Sequence, residues 1–520
     1  MKNKMKYILL MMVLLVALVG CKGIDEESNA GGDIGQSTKV DVLRLEGGDT
    51  GLPNPFKHTS RGPGMSKMQI LYDSLLEKDE NGNIPWLAQD WSISEDGTVY
   101  TFEIVENAFW HDGTPLTTED IVFTFNYYRQ HSPVSNELIV NGEYIVKEAR
   151  RIDEKKVEIE IFSFDNTYIN KIGFARILPQ HIWEDVEDPK AYDGEDAAIG
   201  SGPYKLDTYN PQQGTYKYVA FEQYWGLEPV VSAIEWVPVG DRVMSFENEE
   251  ISLINASADI LDRYQSDDKY TVKSVPSYHS YRLMMNMEKV EELKDIHLRK
   301  AIAYGINRNQ LIENVARGSA TMSSMGYVPA DSPWYNPHIE KYDFDLEKAK
   351  ELLDGKTYSF KLLIGNAAEE AKIAELVKLD LANIGIEIQI ESAETKARDD
   401  ALKTGEFEIL LINSGGMGGD PDYLRTIYAA AKNGRAAIAG YNNEEINSLS
   451  QKQAIERDEA KRKEMIDEMQ AILADEVPIV MLYGAVDNFV YVTEKYDGWM
   501  FRYDHNKTDH NKLSYLIREK

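Results

Sequence analysis

One apolar run, Tyr7 to Val19, precedes the only cysteine of the chain, Cys21, and no later stretch is long and apolar enough to cross a bilayer. Everything after it must therefore fold in water and without a disulfide, on hydrophobic cores alone. About 500 residues lie beyond that point, well past the size at which a single core keeps growing, so two or three domains are expected.

The run follows Lys2, Lys4 and Lys6 and ends in Leu18-Val19-Gly20-Cys21. A basic start, an apolar core too short to span a membrane comfortably and a small residue before the cut fit a secretory signal, residues 1–20. The Leu-Val-Gly-Cys end resembles the lipobox of bacterial lipoproteins. That resemblance implies a diacylglycerol thioether on Cys21 and a flexible leader, residues 21–38, between lipid and fold. An ordinary secretory signal with an incidental cysteine is the alternative.

The formal net charge is -31, and loss of residues 1–20 removes three lysines and no acid, leaving about -34. Such a surface is soluble and mildly favours cationic ligands. It offers no clustered basic face for phosphates, so nucleic acid is excluded as a partner.

Local patterns predict a mixed architecture. Val40 to Leu45 reads as a mostly buried strand, Tyr100, Phe102 and Ile104 as a half-buried strand after the turn Asp96-Gly97, and Val157, Ile159 and Ile161 as another. Between them Thr117 and Asp120 form a capping box ahead of a helix carrying Ile121, Phe125 and Tyr128. Strands with one capped helix describe a small α+β unit. From Ile296 helices alternate with short strands, as in an α/β domain: Leu298, Ala301, Ile302, Gly305 and Ile306 line a helix ended by Arg317-Gly318. Met465 to Leu473 line a helix stopped before Pro478, and two strands follow at Ile479–Tyr483 and Phe489–Val492.

Several segments are distinctive in order: Tyr72-Asp73-Ser74-Leu75-Leu76, Trp86 to Trp91, Phe109 to Ile121, Leu178 to Trp183, Gly200-Ser201-Gly202-Pro203-Tyr204, Leu298 to Arg308, Asp420-Pro421-Asp422 and Gly440-Tyr441-Asn442-Asn443. In series they resemble family 5 extracellular solute-binding proteins, the peptide- and nickel-binding components of ABC importers. The resemblance covers nearly the whole chain after the leader. It implies an α/β, two-lobed periplasmic-binding-protein-like (type II) fold with an additional small α+β domain inserted in lobe I. Mapped here, lobe I is residues 39–73, 173–270 and 480–520, the inserted domain is 74–172, and lobe II is 271–479, with chain crossings near 270 and 480 as hinge. The implied function is capture of a small solute, an oligopeptide in the simplest case, by a monomer that delivers it to ABC importer permease subunits and touches the membrane through its lipid. No cofactor and no resident metal are called for.

By the same resemblance, peptide binders hold the α-ammonium with an aspartate three residues before an Asp-Pro pair. Here the pair is Asp420-Pro421 and Met417 stands at that place; a thioether cannot neutralise an ammonium. Either Asp422 substitutes, or the ligand has no free amino terminus to grip. Ser414 and the glycines around Met417 form a pocket wall without a bulky aromatic. The cluster lacks the Gly-Lys-Ser/Thr ending of a phosphate cradle, and its plain reading is a loop with special backbone angles. The lobe I contact loop falls on Thr59, Ser60 and Arg61, where Arg61 is placed to clamp a ligand carboxylate or to form an interlobe ion pair.

The Trp110 to Asp120 motif reads as scaffold, and His111 as a satisfied turn residue. His505 and His510, beside Asp504 and Asp509, read as a polar loop before a metal site. A serine-hydrolase elbow, a His-Glu-x-x-His pair and a cysteine nucleophile are all missing, which argues against an enzyme, although paired glycosidase acids are not excluded by sequence. A binder of oligosaccharide or metal chelate in the same fold, an anchored hydrolase and a ligand sensor remain as alternatives.

Overall fold

A computed structural model describes residues 40–59, 62–79, 82–414, 420–429, 438–501 and 512–517, except for the side chains of residues 278, 395 and 414. Cys21, Ser60, Arg61, Met417, His505 and His510 lie outside the described residues, as does the side chain of Ser414.

The strand Val40–Glu46 pairs in parallel with Val231–Val237, and Thr215–Ala220 and Tyr204–Asn210 continue that sheet antiparallel. It alternates more strictly than the sequence predicts. Leu43 and Leu45 are buried while Val40 and Val42 are only half-buried, because this sheet packs against the core with one face. A second, wholly antiparallel sheet runs in the order Ala88–Ile93, Val99–Ile104, Lys156–Ile161, Val146–Arg151. The helix Thr118–Gln130 lies on it, burying Ile121, Phe125 and Tyr128. Its capping box is formed as predicted: the Thr117 hydroxyl accepts from the Glu119 amide and the Thr117 amide donates to Asp120 at 2.8 Å. These two sheets share one hydrophobic core.

A larger mixed sheet runs Leu253–Asn255, Ile479–Val492, Tyr270–Met285, Ile409–Ser414, Tyr358–Ile364, Ile386–Ser392, with Ala320–Met322 added on Ile479–Val492. Its last three strands are parallel, and with the surrounding helices they enclose the other main core, around Leu283, Ile302, Leu362, Ile388 and Leu473. Two sequence expectations need correction here. The helix expected to run from Ile296 to Arg317 is two, Ile296–Gly305 and Arg308–Asn314. Ile306 is extended, and Asn307 caps the second helix through its side chain while donating its amide to Asp380 at 2.8 Å. The two tail strands are one, Ile479–Val492, because its partner Tyr270–Met285 is long enough to run its whole length and keeps Asp487 and Asn488 paired.

That long pair is interrupted. Residues 270–276 pair with 486–492 beside Leu253–Asn255, residues 280–284 pair with 479–484 beside Ile409–Ser414, and the register shifts between Pro276 and Ser280. Proline has no amide hydrogen to give to the ladder. The Gly200-Ser201-Gly202 motif is a close approach: a β-carbon at Gly200 or Gly202 would fall 2.0 or 2.2 Å from the carbonyl oxygens of Leu71 and Ile70, at the end of helix Pro63–Leu71. No helix among the described residues is long and apolar enough to cross a membrane.

Candidate functional site

A cavity of about 500 Å³ opens between the helix Pro63–Leu71, loop 133–139, the helix Tyr168–Gly173 and the segment 420–426 that leads into helix Tyr423–Tyr428. That volume is in the range of small-molecule sites. Asp420 and Asp422 both line it. Thr59 does not; it is exposed, its amide bonded to the Thr50 carbonyl at 2.7 Å, and its neighbours Pro55 and His58 form the wall instead.

Both aspartates already hold a guanidinium of the protein. Asp420 receives both Nη groups of Arg462, at 2.7 and 3.1 Å, and the Asp422 amide. Asp422, 9% exposed, accepts from Arg425 at 2.8 Å on one oxygen and from the Gln453 amide at 2.5 Å on the other. Burial raises the Asp422 pKa, and the Arg425 guanidinium opposes that rise.

One edge of the cavity is sewn shut by a loop the sequence analysis did not single out. Asp165 accepts from the Thr167 amide and hydroxyl on one oxygen, ordering its own turn, and takes Arg425 at 2.9 Å on the other. Asn166 donates its amide to the Ala454 carbonyl at 2.8 Å and its side chain to the carbonyls of Gln453 and Glu456 at 3.0 and 2.7 Å. These carbonyls end the helix Glu444–Ile455, where backbone acceptors lack intrahelical partners. Arg457 reaches back to the Glu95 carbonyl and sits 5.6 Å over the Phe164 ring. Gln453 links this seam to the cavity, since it also accepts from Arg462 at 3.1 Å.

The facing wall is basic. Lys78, Lys171 and Arg176 line it, with the Lys78 ammonium 4.9 Å from the centre of the Phe174 ring. Arg176 continues into a buried ionic cluster. It pairs with Glu77 at 3.4 Å, and Lys512 pairs with Glu77 at 3.1 Å and with Asp73 at 2.7 Å. His58 is buried; its Nδ1 lies 2.8 Å from the Asn54 carbonyl, and burial lowers its pKa, so the ring is neutral at neutral pH and donates through Nδ1. Among the described residues no group of three or more His, Cys, Asp or Glu is arranged to hold a metal. No local motif marks Lys78, Lys171 or Asn166, whose roles arise from contacts across the chain.

The cavity lies between segments packed on two separate hydrophobic cores and is lined by polar and charged side chains together with apolar ones, as a solute-binding cleft is. The family model described as bacterial extracellular solute-binding proteins, family 5 middle, matches residues 83–435, and the chain belongs to that family. The dipeptide-binding protein of Escherichia coli is 25% identical over 482 residues, covering 85% of this chain and 89% of that one. Heme-binding protein A of Haemophilus influenzae is 24% identical over 478 residues, 84% of this chain and 86% of that one. The crystal structure of the ABC transporter substrate binding protein CtaP from Listeria monocytogenes superposes with a TM-score of 0.78 at 22% identity, over 90% of this chain and 98% of that one. The fold is thus the two-lobed type II binding fold expected from the sequence. Members of this family bind solutes for ABC importers outside the cytoplasm and are not enzymes.

Proposed function

We propose that the protein captures an oligopeptide between two lobes and delivers it to the permease of an ABC importer, held at the membrane by a lipid on Cys21. In this reading lobe I is residues 39–73, 173–270 and 480–520, the inserted unit 74–172 and lobe II 271–479. The observation that carries it is convergence: residues 55–69, 128–176 and 420–426 meet on one cavity, and Asp165 and Asn166 bond directly to Arg425 and the end of helix Glu444–Ile455. A solute in that cavity gains contacts with both walls only when they are together, so it shifts the population toward closure, and the permease reads closure as occupancy. The interrupted ladder between Pro276 and Ser280 is the natural pivot, because backbone bonds are missing there. The dipeptide-binding relative supports a peptide as cargo.

The test is to purify the full chain in detergent, denature it and identify the released ligand by mass spectrometry. A heterogeneous series of short peptides is the expected result. A single glycan or metal chelate would overturn the peptide assignment.

A further inference from the structure

The cavity is lined by as many bases as acids, three of each, in a chain that is strongly acidic as a whole. Its charged lining is Lys78, Glu137, Lys171, Arg176, Asp420 and Asp422. Both aspartates already pair with arginines, Arg462 and Arg425, and each of their oxygens accepts at least one hydrogen bond from the protein. Glu137 is exposed at the rim, where water screens it. Arg176 is tied to Glu77. Lys171, half-buried on the last turn of helix Tyr168–Gly173, makes no ion pair and no side-chain hydrogen bond among the described residues, although acids outnumber bases 87 to 56 in the chain. Lys78 reaches the same wall from strand Leu76–Asp79, its ammonium over the ring of Phe174, which lies at the end of the helix that carries Lys171.

We infer that Lys171, with Lys78 beside the Phe174 ring, is the anchor for a carboxylate of the bound solute, and that a ligand α-ammonium contributes little to affinity. This rests on the cavity being the solute site. A partly desolvated carboxylate gains charge-assisted hydrogen bonds from the Lys171 ammonium, which pairs with no acid among the described residues. An ammonium placed against Asp420 or Asp422 would have to displace a guanidinium or share an oxygen already bonded, and so gains little. The arrangement selects solutes that carry an anionic end and does not require a free amino terminus, which accords with the methionine at position 417.

The experiment uses the full chain in detergent and calorimetric titration with tri-alanine, its N-acetyl form and its C-terminal amide. Acetylation should change Kd by less than about threefold, whereas amidation should weaken binding by about tenfold or more. Lys171→Met should bind acid and amide alike, and Lys171→Arg should restore the preference, with thermal unfolding checked to be unchanged. Amidation without effect, or acetylation that abolishes binding, overturns the inference while the peptide reading stands. If no tri-alanine form binds, the ligand released from wild type and from Lys171→Met decides. An anionic ligand depleted in the variant upholds the carboxylate anchor while the peptide reading falls; a neutral or cationic ligand, or one retained equally, overturns the anchor.

Discussion

Arg425 reaches Asp165 across 2.9 Å while holding Asp422, three residues back on its own segment, at 2.8 Å. One guanidinium thus bridges a carboxylate of the cavity wall and a carboxylate of the loop that closes over it. Asp165 is 9% and Arg425 24% exposed in their side chains, so the contact is poorly screened, and closing it places three charges in a low-dielectric seam.

Replacing Asp165 by Asn keeps the oxygen that orders its own turn and puts an uncharged NH2 donor where the other oxygen accepts from Arg425, which breaks that contact. Ligand dissociation should accelerate by about 5- to 30-fold, the equivalent of one or two kcal/mol, with little change in thermal unfolding. Stopped-flow release of a fluorescent peptide measures it; an unchanged off-rate would show that the seam does not control closure.

Loss of Arg425 is a harsher change. Arg425→Met leaves Asp165 and Asp422 buried and facing each other without a counter-charge, and should cost about 3–5 kcal/mol. Adding Asp165→Asn should recover part of that loss, because the repulsion disappears with the charge. Urea unfolding of the single and double variants gives the coupling directly.

Lys512 is 2% exposed and stands between Asp73 and Glu77. The indole nitrogens of Trp86 and Trp225 also donate to Asp73, at 2.8 and 3.3 Å. Lys512→Met should destabilise by about 3–5 kcal/mol, since the tryptophans cannot replace a full charge. Circular dichroism melting would detect the shift.

Stability should fall as pH drops below neutrality. His111 receives the Gly200 amide on Nδ1 at 3.1 Å and has Nε2 3.0 Å from the Gly202 carbonyl, and burial holds it down to about 4. Its folded pKa lies below the unfolded value, so in this window the unfolded chain binds a proton that the native one refuses. The contribution of the neutral ring is complete above about pH 6.5 and is lost toward pH 4, at no more than about 1.4 kcal/mol per pH unit. His58, also lowered by burial, adds a term of the same sign. Denaturant unfolding at several pH values should show a shallower slope for His111→Gln than for wild type.

Cys21→Ser should leave ligand affinity as it is and reduce uptake by cells. The anchor acts by raising the local concentration of the protein near its permease, without adding a contact to the ligand. Lost affinity in the purified variant would contradict a lipid role for Cys21.

Much of the fold was legible where a local rule decides it. The capping box at Thr117 and Asp120 is a contact within one turn, and the alternation of Val157, Ile159 and Ile161 has the period of the strand itself. Where the reading failed, a distant partner decided. The break at Ile306 depends on Asp380 accepting the Asn307 amide, and the unbroken strand Ile479–Val492 depends on the length of Tyr270–Met285. The site divides in the same way. Asp420 and Asp422 could be singled out as candidates through a recognisable motif, but their pairing with Arg462 and Arg425 could not, because those contacts follow from how helices pack.

The order of segments, through its resemblance to family 5 solute-binding proteins, implied a two-lobed binding fold, the apolar periodicity gave mixed strands and helices, and the single cysteine excluded an internal disulfide; each is read along the chain. Which charges stay available inside the cavity was decided only by tertiary structure. Coulomb energy and desolvation depend on distance through space, and only the folded chain brings Asp165 to Arg425 and places Lys171 on the cavity wall with no acidic partner among the described residues.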